Sequence, residues 1–78
     1  MVRYYIGDKV KIRSDLVAGC RYGNDIFCYP MTDYLGKIVT IVENLYNGNY
    51  RIDCSGFCYT NEMIEGKVVG NRVVRSDL

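Results

Sequence analysis

Charged and apolar side chains alternate along Gly7-Asp8-Lys9-Val10-Lys11-Ile12-Arg13. A period of two carried by β-branched residues predicts a half-buried strand, with Val10 and Ile12 inward and Lys9, Lys11 and Arg13 outward. The pattern dissolves between Ser14 and Pro30, where Gly19, Gly23, Asn24 and Asp25 favour turns. A connection of that length in so short a chain is expected to be functional or packed on itself. Its aromatics, Tyr22, Phe27 and Tyr29, argue for packing rather than disorder. Residues Pro30 to Gly36 predict one helical turn, with proline at its start and glycine past its end. Lys37-Ile38-Val39-Thr40-Ile41-Val42-Glu43 is the strongest strand signal. Val39 and Ile41 share one face, and Ile38, Thr40 and Val42 the other. Both faces are largely apolar, so a central strand is expected.

Asn47-Gly48 predicts a hairpin tip. Tyr50 to Cys54 alternates again, with Tyr50, Ile52 and Cys54 on one face. A tight turn at Ser55-Gly56 would set Ile52 opposite Tyr59 and Cys54 opposite Phe57. Asn61 to Gly66 reads as a capped single turn, with Asn61 as the cap and Gly66 as the stop. A last strand runs through Lys67-Val68-Val69 and Arg72-Val73-Val74, bent at Gly70. Arg-Ser-Asp-Leu occurs at 13–16 and again at 75–78, in flanks that do not align, and reads as coincidence. The expected fold is all-β: five short strands with one or two single-turn helices, forming a small closed or partly open barrel that leaves few strand edges exposed. Val10, Ile12, Val39, Ile41 and Ile52 are the expected core.

The length of 78 residues fits one domain, near the lower limit for folding on a hydrophobic core alone. The net charge of +1 rules out both a strongly basic nucleic-acid arm and an acidic DNA mimic. No apolar run approaches a membrane span, and no signal-peptide core precedes Gly7, so a cytoplasmic location without membrane contact is expected. The chain has no His, which removes the commonest general base and the commonest metal ligand. Gly19, Gly23 and Gly36 match no phosphate-binding fingerprint. No catalytic residue, metal or cofactor is therefore expected. Cys20, Cys28, Cys54 and Cys58 are read as free thiols acting as small apolar residues. The competing readings are disulfides, which need a secretory context, and zinc, which needs tighter spacing than Cys20 and Cys28 offer.

Four blocks carry a resemblance. Gly7-Asp8-Lys9-Val10-Lys11-Ile12-Arg13, Tyr34-Leu35-Gly36-Lys37-Ile38-Val39-Thr40-Ile41, Tyr50-Arg51-Ile52-Asp53 and Tyr59-Thr60-Asn61-Glu62-Met63-Ile64-Glu65 follow in that order. Together they resemble small SH3-like barrel proteins of Firmicutes prophages and mobile elements, a group similar to the mind-bomb-type SH3-like repeat. That group often carries tryptophans before the position of Thr60, where this chain carries Phe57, Cys58 and Tyr59. The resemblance implies an SH3-like barrel and a phage or mobile-element accessory protein that binds a host protein. Inhibition of a host defence system such as CRISPR-Cas is the sharpest form of that expectation.

The aromatic inventory, eight Tyr and two Phe, points the same way, because tyrosine joins a large apolar body to a polar tip. Tyr34 and Tyr50 are expected to fill the core. Tyr22, Phe27, Tyr29 and Tyr46 lie in the long loop and at the hairpin tip, which flank one groove in SH3-like barrels. With Arg21 and Arg51 as polar anchors they form the candidate partner-binding set. The bland alternative is that these rings only staple the loop to the barrel. A nucleic-acid-binding accessory protein is a second functional reading, using Arg13, Arg21, Arg51, Arg72 and Arg75 among the tyrosines. A homodimer through exposed tyrosines is a further possibility.

Overall fold

The computed structural model describes residues 3–54 and 56–74. The chain is all-β. Its strands are β1 (Lys9–Ile12), β2 (Arg21–Tyr22), β3 (Asp25–Ile26), β4 (Ile38–Asn44), β5 (Tyr50–Ile52), β6 (Cys58–Tyr59), β7 (Ile64–Val69) and β8 (Arg72–Val74). Two 3-10 turns, Tyr29–Tyr34 and Asn61–Met63, precede β4 and β7. Six strands form one antiparallel sheet in the order β6-β5-β4-β1-β7-β8, and β2 and β3 form a separate hairpin. No ladder joins β6 to β8 among the described residues, so the sheet is open rather than closed.

The alternating strands bury the side chains that their period selects. Val10, Ile12, Val39, Ile41 and Ile52 meet in one cluster with Tyr50, Tyr59, Met31 and Met63. Burial of this kind stabilises by roughly 25 cal/mol per Å² of apolar surface removed from water. Tyr50 is sealed in the cluster, and its hydroxyl accepts the backbone N–H of Tyr4 at 3.0 Å. Its ring meets Tyr4 edge-on with centroids 5.7 Å apart. Tyr34 is only half-buried; its hydroxyl donates to the Cys54 carbonyl at 2.5 Å.

Several expectations need correction. Strand β4 is central by pairing, between β1 and β5, but it is buried on one face only. Ile38 is 57% and Val42 43% exposed, because nothing in the described chain covers the outer face of the sheet there. The β5–β6 register is Tyr50↔Tyr59 and Arg51↔Cys58, two residues away from the expected pairing. The cause lies just past Ile52. Asp53 donates its N–H to the Thr40 carbonyl, and the Cys54 carbonyl is held by Tyr34, so the chain leaves the ladder early. A shift of two preserves the side-chain parity, so Tyr59 still points inward. Phe57 and Cys54 end up exposed.

Gly66 does not stop a helical turn. It is a buried position inside β7, opposite Lys11, next to a register shift between Lys11 and Ile12. The residue before the second 3-10 turn is Thr60, not Asn61, and no side chain caps it. The last strand is a hairpin: Val69 pairs with Arg72 across Gly70-Asn71, with Gly70 at a φ of +64°. The second Arg-Ser-Asp-Leu stretch and Ser55 lie outside the described residues. No helix among the described residues is long and apolar enough to cross a membrane.

The long loop is the largest difference. It folds into the β2–β3 hairpin, extended by backbone bonds from Phe27 to Cys20 (2.9 Å) and from Gly19 to Phe27 (2.7 Å). This ladder turns Phe27 into the core, where it is fully buried. Two-residue strands carry too little alternation to be read from sequence.

Candidate functional site

Two hairpin tips meet above the second 3-10 turn. The first is Gly23-Asn24, between β2 and β3, with Gly23 at a φ of +69°. The second, between β4 and β5, closes through Leu45 N–H to Asn49 carbonyl (2.9 Å) and Gly48 N–H to Leu45 carbonyl (3.0 Å). The Asn47 Oδ1 accepts the Asn49 N–H at 3.1 Å, the local turn bond that asparagine makes readily. Asn24 Nδ2 then donates to the Asn47 carbonyl at 3.3 Å and ties one tip to the other. Between them and Thr60-Asn61-Glu62 lies a cleft of about 340 Å³.

The frame of this cleft is braced from behind. Thr60 Oγ1 donates to the Tyr22 carbonyl at 2.9 Å, joining the first hairpin to the floor. Arg13, at the end of β1, donates to the Glu62 carbonyl at 2.7 Å. Its Nε and second terminal nitrogen reach both oxygens of Asp15 at 2.9 and 3.0 Å. The guanidinium carbon lies 5.5 Å from the centre of the Tyr22 ring. The Asp15 hydrogen bonds, opposed by partial burial, raise the Arg13 pKa above its ordinary value. Arg13 is therefore a positioning residue for the cleft floor, with its charge met by Asp15.

The lining is an amide surface: Asn24, Asn47, Asn49 and Asn61, with Thr60, Glu62 and the two tip glycines. Each amide side chain offers both donors and an acceptor. Glu62 supplies the only formal charge among the lining residues and pairs with no cation among the described residues. The Asn61 Oδ1 is sealed from solvent and has no donor. A buried acceptor left so costs about 1–3 kcal/mol, which favours any rotation that brings it to a donor. Nothing here pairs a nucleophile with a base. The chemistry on offer is hydrogen-bond recognition.

The candidate residues named from sequence fall in different places. The long loop and the Asn47-Gly48 tip do adjoin one cleft, but its lining is amide, not aromatic. Tyr46 is next to Asn47 in sequence and fully exposed, and it does not line the cleft. Arg21 is exposed on β2, two residues from Gly23. Tyr22 is half-buried behind the cleft: its hydroxyl accepts the Val17 N–H at 2.9 Å, and its ring meets Phe27 edge-on at 6.4 Å. Phe27 is a fully buried core residue and does not line this cleft. Tyr29 is 78% exposed at the start of the first 3-10 turn and does not line the cleft. Arg51 lies on the outer face of β5, because its neighbours Tyr50 and Ile52 point inward, and its Nε is 3.3 Å from Glu43. That contact is an ion pair without hydrogen-bond alignment, since the Nε–H itself finds no acceptor.

Asn24 and Asn61 were legible only as turn and cap formers, and Asn49 and Glu62 carried no signal of their own. The sole signal was an asparagine at each of three turns, and spacing along the chain does not show that those turns converge. Of the arginines considered for nucleic acid, Arg13 and Arg51 are engaged by Asp15 and Glu43, whereas Arg21 and Arg72 are exposed. Arg75 lies outside the described residues. The four cysteines are free thiols. Cys20, Cys28 and Cys54 are exposed on the hairpin, the loop and the turn, so they do not serve as small apolar core residues. No group of three or more metal-ligating side chains gathers among the described residues. No family model, no curated protein and no solved structure matches the chain.

Proposed function

We propose that this protein is a non-enzymatic binding module of the SH3-like kind that engages a protein partner through the cleft between its hairpin tips. The observation that carries the reading is the cleft itself: an amide-lined recess, with the fully exposed Tyr46 next in sequence to its lining residue Asn47. An exposed Tyr beside hydrogen-bonding groups is the composition of protein-binding surfaces. The SH3-like arrangement is supported by the run β7-β1-β4-β5-β6 in the sheet and by the 3-10 turn directly before β7, with β8 as an addition. The resemblance to prophage and mobile-element barrels supplies the setting: an accessory protein that acts on a host protein, in its sharpest form as an inhibitor of a defence system such as CRISPR-Cas.

The test is capture from a Firmicutes lysate on the immobilised full chain, with and without nuclease, beside the Tyr46→Ala variant. A protein retained after nuclease and lost with Tyr46→Ala supports the reading. Retention abolished by nuclease replaces it with nucleic-acid binding. Capture equal for both variants removes Tyr46 from the interface.

A further inference from the structure

We infer that the cleft takes an arginine side chain presented by the partner, with the Glu62 carboxylate as its counter-ion and the amide oxygen of Asn24 as a further acceptor. This rests on the reading of the cleft as a partner site and names the chemistry that it selects.

The amide lining offers donors as well as acceptors, so the choice of ligand falls to its charge. Asn24 has committed its Nδ2 to the Asn47 carbonyl, which leaves its Oδ1 open. Glu62 adds two carboxylate oxygens without a cation among the described residues. Arg13 holds the Glu62 backbone carbonyl, but its charge is already met by the two Asp15 oxygens. The lining is thus net acidic, with the Glu62 carboxylate and the Asn24 Oδ1 as its open acceptors.

An anion is repelled by such a site, and an apolar group leaves its acceptors unpaired. A cation with several donors satisfies it. A guanidinium presents five N–H donors in a planar fork, suited to one carboxylate and a separate amide oxygen at once. A lysine ammonium is a compact point charge that is more strongly hydrated and matches fixed, spread acceptors less well. The carboxylate has room beside the first hairpin tip. It lies over Gly23, in the space where any other residue would carry its Cβ, and the Glu62 carbonyl is pinned by Arg13.

The experiment is an amide-resolved NMR titration of the full chain with the capped tripeptide Gly-Arg-Gly. The comparison probes are the same tripeptide with citrulline, which keeps the shape and loses the charge, the tripeptide with lysine, and guanidinium ion alone at equal ionic strength. Shifts are expected at Gly23, Asn24, Gly48 and Asn61, with binding about tenfold weaker for citrulline, as loss of a charge-assisted fork implies. Tighter binding of the tripeptide than of guanidinium ion assigns the ligand to a peptide; the reverse order overturns that assignment. Glu62→Gln, whose side chain holds no other described element, should weaken the arginine probe about as much as citrulline does. Equal binding of arginine and citrulline, shifts confined to other parts of the sheet, or an unchanged affinity in a folded Glu62→Gln variant overturns the inference. A titration that fails while Tyr46-dependent capture of a protein persists sinks the arginine assignment alone and leaves the partner reading standing.

Discussion

The Glu62 carboxylate occupies the space that a side chain at Gly23 would fill. A Cβ built on Gly23 would overlap Glu62 Oε1 and stand 3.4 Å from the Thr60 Cβ. Two residues far apart in the chain thereby share one volume, and the absence of a side chain at one sets the position of the charge at the other.

Replacing Gly23 should show both consequences. At a φ of +69° an L-residue is disfavoured, so Gly23→Ala is expected to cost about 1–2 kcal/mol. The steric part is small, because the exposed end of Glu62 can swing aside. Gly23→Asn tolerates the left-handed backbone better and should recover much of the stability while still displacing the carboxylate. Urea unfolding of both variants checks this. Equal stability of wild type and Gly23→Ala would show that the tip does not need glycine.

The one-sided burial of β4 predicts a contrast between neighbours on one strand. Ile41 is sealed in the core, so Ile41→Ala should cost about 2–5 kcal/mol, enough to threaten a domain this small. Ile38 is 57% exposed, so Ile38→Ala should change stability by no more than about 0.5 kcal/mol. Chemical denaturation measures both. A large loss at Ile38 would mean that something covers the outer face of the sheet.

Tyr22 and Tyr46 should separate as staple and partner contact. Tyr22 contacts Val17, Phe27 and Arg13 at once, and Tyr22→Ala is expected to cost about 1–3 kcal/mol. Tyr46 has nothing to lose in the folded chain, so Tyr46→Ala should leave the melting temperature nearly unchanged. With a captured partner in hand, Tyr46→Ala should weaken binding by roughly 1–3 kcal/mol. A stability loss at Tyr46 with intact binding would transfer it to the staple class.

The thiols give a chemical test of the β5–β6 turn. Partial desolvation, and then the adjacent Asp53 carboxylate, raise the Cys54 pKa above its ordinary value. Only the thiolate reacts, so Cys54 should alkylate more slowly at mildly alkaline pH than exposed Cys20, and Asp53→Asn should accelerate it. Mass spectrometry of iodoacetamide-treated protein follows each site. Cys54 reacting first would show that the turn holds the thiol differently.

Lys37 to Glu43 marked β4 as a strand with both faces apolar, and only the packing buried Val39 and Ile41 and left Ile38 and Val42 exposed. The alternation of Lys9 to Arg13, by contrast, determined the inner face of β1, because every second residue along an extended backbone points the same way whatever the rest of the chain does. Asn47-Gly48 determined a hairpin tip for the same local reason. The register of β5 on β6 was another matter. It was set by Asp53 bonding to Thr40 and by Tyr34 bonding to Cys54, contacts between residues 13 and 20 positions apart. Phe27 shows the same limit: its neighbours in sequence gave no face to bury it, and pairing with Cys20 made one. The cleft lies furthest from local reading. Asn24, Asn47 and Asn61 each appear in the sequence as turn formers, which they are. That their turns face one another, and that Glu62 lies in the space left by Gly23, was decided only when β1 entered the sheet between β4 and β7 and drew distant loops together. Side-chain periodicity is a property of a few consecutive residues, whereas a binding site here is a property of which loops the tertiary packing makes neighbours.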